Sequence, residues 1–316
     1  MNQFCPTSSL EKTSSTDVAH CVYIAGTGRN GSTLLGMLLS SDPSVFFAGE
    51  LTHIWKRGFQ QNQLCSCGQP FLCCEFWRAV VKDCFGDDCD AKVAEAARIG
   101  EGISSFRNLP RLKVGAAFRA DSVDRYCRTY SELLKSIARV SGCQTIVDSS
   151  KYPTDMGALI QGGVPLQVIH LIRDCRAVVY SWRTSKRRPE IHWKDEDMPR
   201  YGPVQTAIAW RAFNSLIENL CLSSSETYRV LRYEDLITDP TKHHEQLLQW
   251  IGVADPVRKP EIASKDHSVS GNPCRFKSGP LKVTGDDRWR KNLSRWERSI
   301  INVVCGAMQQ RYGYGD

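Results

Sequence analysis

Two arginines, each set just beyond an apolar run, mark where this chain would hold an anion. Arg29 lies in GTGRNG, after the run Val22, Tyr23, Ile24, Ala25. Arg173 directly follows VIHLI. Around Arg29, the loop from Gly26 to Gly31 is followed by Ser32, Thr33 and the apolar series Leu34, Leu35, Met37, Leu38, Leu39, with Asp42 and Pro43 as a stop. That order predicts strand, glycine-rich turn, helix. Such a turn presents backbone N–H groups at the positive end of a helix dipole, a cradle for phosphate or sulfate. Gly26 and Gly31 have the spacing of the nucleotide-binding pattern G-x-x-x-x-G-K-[ST], but Ser32 occupies the lysine position. A nucleotide hydrolase needs that lysine on the phosphate being transferred, so the pattern argues against ATP or GTP hydrolysis.

With its cation moved into the loop, GTGRNGSTLL resembles the 5′-phosphosulfate loop of the sulfotransferases, which take their sulfuryl group from 3′-phosphoadenosine 5′-phosphosulfate (PAPS) and release 3′-phosphoadenosine 5′-phosphate (PAP). The resemblance implies donor-binding roles for Gly28, Arg29, Asn30, Gly31, Ser32 and Thr33; Asn30 departs from the usual serine but remains short and polar. The stretch 166–183, LQVIHLIRDCRAVVYSWR, matches the strand-to-helix segment that holds the donor's 3′-phosphate, with Ser181 eight residues beyond Arg173. An arginine forks onto two phosphate oxygens and a hydroxyl adds another hydrogen bond. In 228–252, YEDL followed by DP resembles the part of the family that contacts adenine. This makes Tyr233 a stacking candidate, with a structural aromatic at a strand end as the alternative. The stretch 266–293 resembles the loop that folds over the donor, where H-x-V-x-G-N-P-x-R-F recurs; Gly271, Asn272 and Arg275 are its matching residues. The resemblance spans most of the chain from Val18 onward, through these four ordered segments.

Sulfuryl transfer requires an acceptor proton to be removed and charge on the leaving phosphate to be stabilised. Glu50, closing FFAGE just after the first phosphate loop, is the preferred general base, as the resemblance implies from the tyrosine-directed and several carbohydrate sulfotransferases, which carry a glutamate at this place; His53 is its competitor. Arg29 and Lys151, the latter in DSSK beyond a strand, are the expected electrophilic groups. Two other classes stay open: a kinase or phosphotransferase on the same fold, and a PAP-binding protein without turnover.

The elements that position these residues alternate between strand and helix patterns. Runs at 145–149 (TIVDS), 168–172 and 228–233 predict buried strands; helices are expected near 91–98 and 121–140. The predicted fold class is α/β: a three-layer, mostly parallel sheet with helices on both faces, like the P-loop nucleoside triphosphate hydrolases and the sulfotransferases. The expected organisation is a flexible tail over 1–17 and one domain over 18–316. A cysteine-containing helical insertion at about 55–140 is expected to build the acceptor side.

The length of 316 residues and 41% hydrophobic content suit such a core. A net charge of +7 fits a polyanionic donor, and without a recognised nucleic-acid module it implies no nucleic-acid partner. The basic cluster Arg183, Lys186, Arg187, Arg188 reads as a solvated helix end or a rim that attracts an anionic substrate. The polar start and the lack of a long apolar run lead to a cytoplasmic expectation without a membrane span. The acceptor is expected to be a hydroxyl or amine, on a carbohydrate or small molecule. Among 14 cysteines, Cys65, Cys67, Cys73 and Cys74 crowd together in LCSCGQPFLCCEFW. Disulfides, zinc and packed free thiols are all open, although C-x-C then C-C is not the usual paired C-x-x-C. No metal ligand is assigned, and the transfer is expected to need no metal.

Overall fold

The computed structural model describes residues 19–87, 89–113, 118–222, 227–254, 267–276 and 285–315. The tail at 1–17 and the stretches 266 and 277–284 of the donor-covering segment lie outside these residues. Among the described residues, one five-stranded parallel sheet forms the centre. Its strands are β1 (His20–Gly26), β2 (Val45–Gly49), β3 (Thr145–Lys151), β4 (Leu166–Ile172) and β5 (Tyr228–Arg232), in spatial order β2-β3-β1-β4-β5.

The central strand shows why helices must cover both faces. Cys21, Tyr23 and Ala25 of β1 enter one core, and the intervening Val22 and Ile24 enter another, following the period-2 alternation of a strand. On the second face lie α1 (Ser32–Leu39) and α10 (Pro240–Trp250), which bury Leu35, Leu39, Leu247 and Leu248 there. On the first lie α2 (Glu75–Phe85), α3 (Asp90–Ile103), α5 (Ala120–Ser141) and α6 (Pro153–Gln161), anchored by Trp77, Tyr130, Ile137 and Met156. The short α4 (Leu109–Lys113) joins this layer. A third core gathers α7 (Cys175–Arg183), α8 (Pro203–Cys221), α11 (Arg288–Asn292) and α12 (Arg295–Arg311) around Trp210, Trp289 and Ile301.

The α/β class with its mostly parallel sheet is therefore as expected, and the two helices expected in the insertion are present as α3 and α5. Two boundaries differ. β3 runs through Ser150 to Lys151, because a bulge against β1 carries the pairing on to Ala25. Tyr233 opens the short helix α9 (Tyr233–Thr238) instead of closing a strand.

The chain order matters for function. From β1 the chain crosses past β3 to β2, and from β3 it crosses past β1 to β4. The C-terminal end of β1 is thus a point where connections diverge to opposite sides, the place where open α/β sheets bind ligands.

Candidate active site

Gly26 (φ 146°), Arg29 (φ 69°) and Gly31 (φ 99°) turn the chain off β1 through the left-handed and extended-positive regions. Asn30 locks the turn: its amide donates to Leu171 O of β4 (2.9 Å), and its side-chain oxygen accepts from Ser32 N (3.1 Å). This is the work a short polar side chain must do there, and it accounts for the departure from serine. The loop is closely fitted. A Cβ on Gly31 would lie 2.4 Å from the Tyr233 ring, and one on Gly28 2.5 Å from Trp182.

Two guanidinium groups converge on this loop. Arg173, at the end of β4, donates to Arg29 O (3.1 Å) and lies over the Tyr233 ring (4.5 Å). Arg29 lies over Trp182 of α7 (4.7 Å). Nε and Nη2 of Arg29 and Nε of Arg173 are buried without a hydrogen-bond partner. Burial, the larger effect, and the neighbouring Arg173 depress the Arg29 pKa against the pull of Glu50. Buried donors of one sign left unpaired are costly, and an anion seated between them would remove that cost. Ser181 is buried on α7. A cavity of about 330 Å³ opens beside Arg173 and Tyr233.

The second cluster lies at the ends of β2 and β3. Glu50 is buried and forms an ion pair with Lys151 Nζ. Its other oxygen accepts from Ser270 Oγ (3.2 Å) and stands 3.5 Å from His53 Nε2 and 3.8 Å from Arg57 Nη1. Burial pushes the Glu50 pKa up, but Lys151, His53 and Arg57 together bring it down to about 2. Burial, then Arg57, lowers His53 to about 3, so its imidazole is neutral at physiological pH. Lys151 (φ 74°) and Ser270 (φ 61°), like Arg29, hold left-handed backbone. Asp148 of β3 braces this edge, accepting from Leu51 N (3.2 Å), Ser150 N (2.8 Å) and Tyr130 Oη (2.6 Å). Burial raises its own pKa to about 6.

The segment from 267 links the two clusters. Val269 pairs with the end of β2: Val269 N donates to Ala48 O (2.9 Å) and Glu50 N to Val269 O (2.7 Å). Gly271 then approaches the first loop, and Asn272 N donates to Thr33 Oγ1 (3.0 Å). The Arg275 guanidinium is buried; two of its nitrogens bond the carbonyls of Ser268 (2.7 Å) and Leu64 (3.0 Å), which ties this segment inward, while its Nε is buried without a partner. Tyr233 contacts Arg173 and Gly31, which favours the structural alternative for its ring.

Three residues at the site escaped the sequence. Lys186, read as part of a solvated helix end or rim, is half-buried; burial, then Arg29 and Arg173, lowers its pKa. Its basic neighbours are paired with carboxylates, Arg183 with Glu297, Arg187 with Asp195, and Arg188 with Glu190 and Glu196. Arg57 and Ser270 hydrogen-bond each other beside Glu50. A π-helical turn, Ile54–Gln60, carries Arg57.

A parallel sheet whose strand ends carry a glycine-rich anion loop and a second buried arginine defines a phosphoryl- or sulfuryl-binding α/β protein. Residues 164–295 match the family described as "Sulfotransferase domain". Carbohydrate sulfotransferase 5 of Mus musculus is 24% identical over 93% of this chain and 80% of its own length. Carbohydrate sulfotransferase 2 of Homo sapiens is 23% identical over 94% of this chain and 66% of its own. In overall fold, the chain is similar to the "Sulfotransferase Domain from the Curacin Biosynthetic Pathway" (TM-score 0.55, 17% identity, covering 92% of this chain and 98% of that one). The family match over 164–295, together with relatives matched along most of the chain at low identity, marks a relationship to the sulfotransferases. These matches overturn the cytoplasmic expectation: the relatives found are carbohydrate sulfotransferases. Among the described residues no helix is long and apolar enough to cross a membrane, which by itself indicates no compartment.

Proposed function

We propose that the protein moves a sulfuryl group from PAPS to a hydroxyl, or an amine, of a carbohydrate or small-molecule acceptor. The observation that carries this reading is that three guanidinium nitrogens, Nε and Nη2 of Arg29 and Nε of Arg173, are buried without a hydrogen-bond partner where β1 and β4 end. The fit to the donor is supported by that orphaned charge, by the left-handed glycine loop and by Ser32 at the position where a nucleotide hydrolase keeps lysine. The carbohydrate class of the acceptor is supported by the relatives. Residues 18–316 would act as one domain, with the insertion at about 55–140 forming the acceptor side.

In this reading Arg173 and Ser181 grip the 3′-phosphate. Gly28 to Thr33 offer backbone amides and hydroxyls to the 5′ side, and Gly271 and Asn272 cover it. Bound PAPS supplies an activated sulfuryl group with a phosphate leaving group. Arg29, with Lys186 behind it, neutralises charge on that phosphate. Lys151 neutralises the group in transit. Glu50 is ionised at neutral pH and accepts the acceptor proton; its cationic neighbours make it a weak base at rest. As Lys151 turns toward the transferring group its hold on Glu50 loosens, and the carboxylate's proton affinity rises. His53, neutral and next to Glu50, orients that carboxylate. No metal takes part in the transfer.

Incubation with sulfur-35-labelled PAPS and a panel of saccharides, phenols and amines tests the reading. Transfer to one acceptor class in magnesium-free buffer is expected. Transfer of phosphate from ATP–Mg²⁺, or tight PAP binding without turnover on any acceptor, would refute it.

A further inference from the structure

Four donor atoms meet far from the anion loop in sequence and chemistry. Cys65, Cys67, Cys74 and His267 place their sulfurs and an imidazole nitrogen within 4.8 Å of one another. Cys74 Sγ lies 3.8 Å from Cys65 Sγ, 3.7 Å from Cys67 Sγ and 3.2 Å from His267 Nδ1; Cys65 Sγ lies 3.8 Å from the same nitrogen. A tetrahedral zinc ion with Zn–S of about 2.3 Å and Zn–N of about 2.0 Å requires edges of about 3.8 Å between sulfurs and about 3.5 Å from sulfur to nitrogen. The separations match those edges. They are far from the S–S bond length of about 2.0 Å, and three sulfurs cannot all be paired in disulfides.

The backbone is shaped to present these atoms. Residues 64–70 form a tight hairpin in which Leu64 pairs with Pro70, Cys65 N donates to Gln69 O (2.9 Å) and Gly68 N to Cys65 O (2.9 Å). Gly68 (φ 85°) makes that turn. The turn closed between Gly68 N and Cys65 O carries Cys67 back beside Cys65, their sulfurs within 4.8 Å of each other. Cys74 is the N-cap of α2. His267 arrives from 193 residues away, its ring stacked on Phe76 (4.9 Å) and its carbonyl accepting from Trp77 Nε1 (2.6 Å). Cys73, the fourth member of the sequence cluster, is exposed.

We propose that Cys65, Cys67, Cys74 and His267 bind one zinc ion as a closed, structural site. Three thiolates and one imidazole select zinc among the common divalent ions. Four protein ligands leave no position for a water, so the ion does no chemistry itself. Its work is to staple the 64–74 hairpin to the segment that begins at His267. Two residues past that ligand, Val269 docks on β2, and three past it, Ser270 bonds Glu50. Ser66 N also donates to Ser268 O (3.3 Å). The zinc thereby fixes the segment that positions the proposed base.

The test uses the full chain purified without chelators, and its readouts do not involve sulfuryl transfer. Elemental analysis should give about one zinc per chain. Cobalt(II) exchanged into the protein should show thiolate charge-transfer and tetrahedral d–d bands. 1,10-Phenanthroline should lower the melting temperature. Cys67→Ser and His267→Asn should lose the metal, while Cys73→Ser should keep it at full occupancy. Wild-type protein that is metal-free yet melts unchanged with chelator, or zinc retained undiminished in both Cys67→Ser and His267→Asn, would overturn the proposal. Because wild-type metal content and the cobalt spectrum need no variant, the outcome stands even if a variant fails to fold.

Discussion

Replacing Arg173 with alanine should weaken PAP binding far more than adenosine 5′-phosphate binding. In the structure one terminal nitrogen of Arg173 is committed to Arg29 O (3.1 Å), and its Nε is buried without a partner. The remaining donors can fork onto a phosphate. Hydrogen bonds to a charged group contribute about 1.5–3 kcal/mol, and about 1.4 kcal/mol corresponds to tenfold in affinity. The predicted loss for PAP is therefore about 10- to 150-fold. Truncation also removes the bond to Arg29 O and the contact with Tyr233, which loosens the loop for any nucleotide. Adenosine 5′-phosphate measures that general loss, so the ratio of the two affinities isolates the 3′-phosphate contact. Calorimetry in magnesium-free buffer at fixed salt is the assay, with a melting curve to show that the variant folds. Wild-type protein should prefer PAP, Arg173→Ala should lose the preference, and Arg173→Lys should restore part of it through charge without the fork. Equal wild-type affinity for the two nucleotides would refute the assignment, and so would an equal loss for both in Arg173→Ala.

Two further predictions concern the base and the loop. Glu50→Gln should leave PAP affinity within a few-fold of wild type and lower turnover by at least about 100-fold, while His53→Asn lowers it less; the reverse order would transfer the role to His53. Both pKa values are depressed, Glu50 to about 2 and His53 to about 3, so both groups stay deprotonated as pH falls from 8 to 5. Neither group should therefore impose an acid limb in that range, where Asp148, raised to about 6, is the neighbour that titrates, and a limb that His53→Asn removes would contradict the site electrostatics. Gly31→Ala adds a methyl 2.4 Å from the Tyr233 ring at φ 99°; it should abolish measurable PAP binding while the far-UV circular dichroism spectrum is retained, and unchanged affinity would show that the loop yields.

The strand–loop–helix at the start of the sheet was legible because its signals are local: an apolar run, glycine spacing and a proline stop lie within about thirty residues. Arg173 was legible for the same reason. The strand order β2-β3-β1-β4-β5 was not, since nothing in a strand's own sequence names its neighbour. Lys186 and its arginine neighbours look alike in sequence, and only carboxylates brought by distant segments, such as Glu297 on α12, separate the paired from the site-facing. The bonds of Arg275 to the carbonyls of Ser268 and Leu64 were not legible, because a guanidinium suits backbone carbonyls as well as phosphate oxygens. His267 offered a signal, as the first residue of the H-x-V-x-G-N-P-x-R-F stretch, but its thiol partners lie far away along the chain.

Arg29, Lys151 and Ser270 all sit at positive φ, where a side chain costs about 1–2 kcal/mol over a relaxed backbone. A breeder of robust variants would be drawn to these three positions. Glycine or asparagine at any of them would relieve the backbone, and a screen that rewards heat resistance alone would enrich such replacements. A screen that also demands turnover would reject them. The resulting library would mark, by its blank positions, the residues this protein keeps against its own durability, and would do so before any acceptor is known.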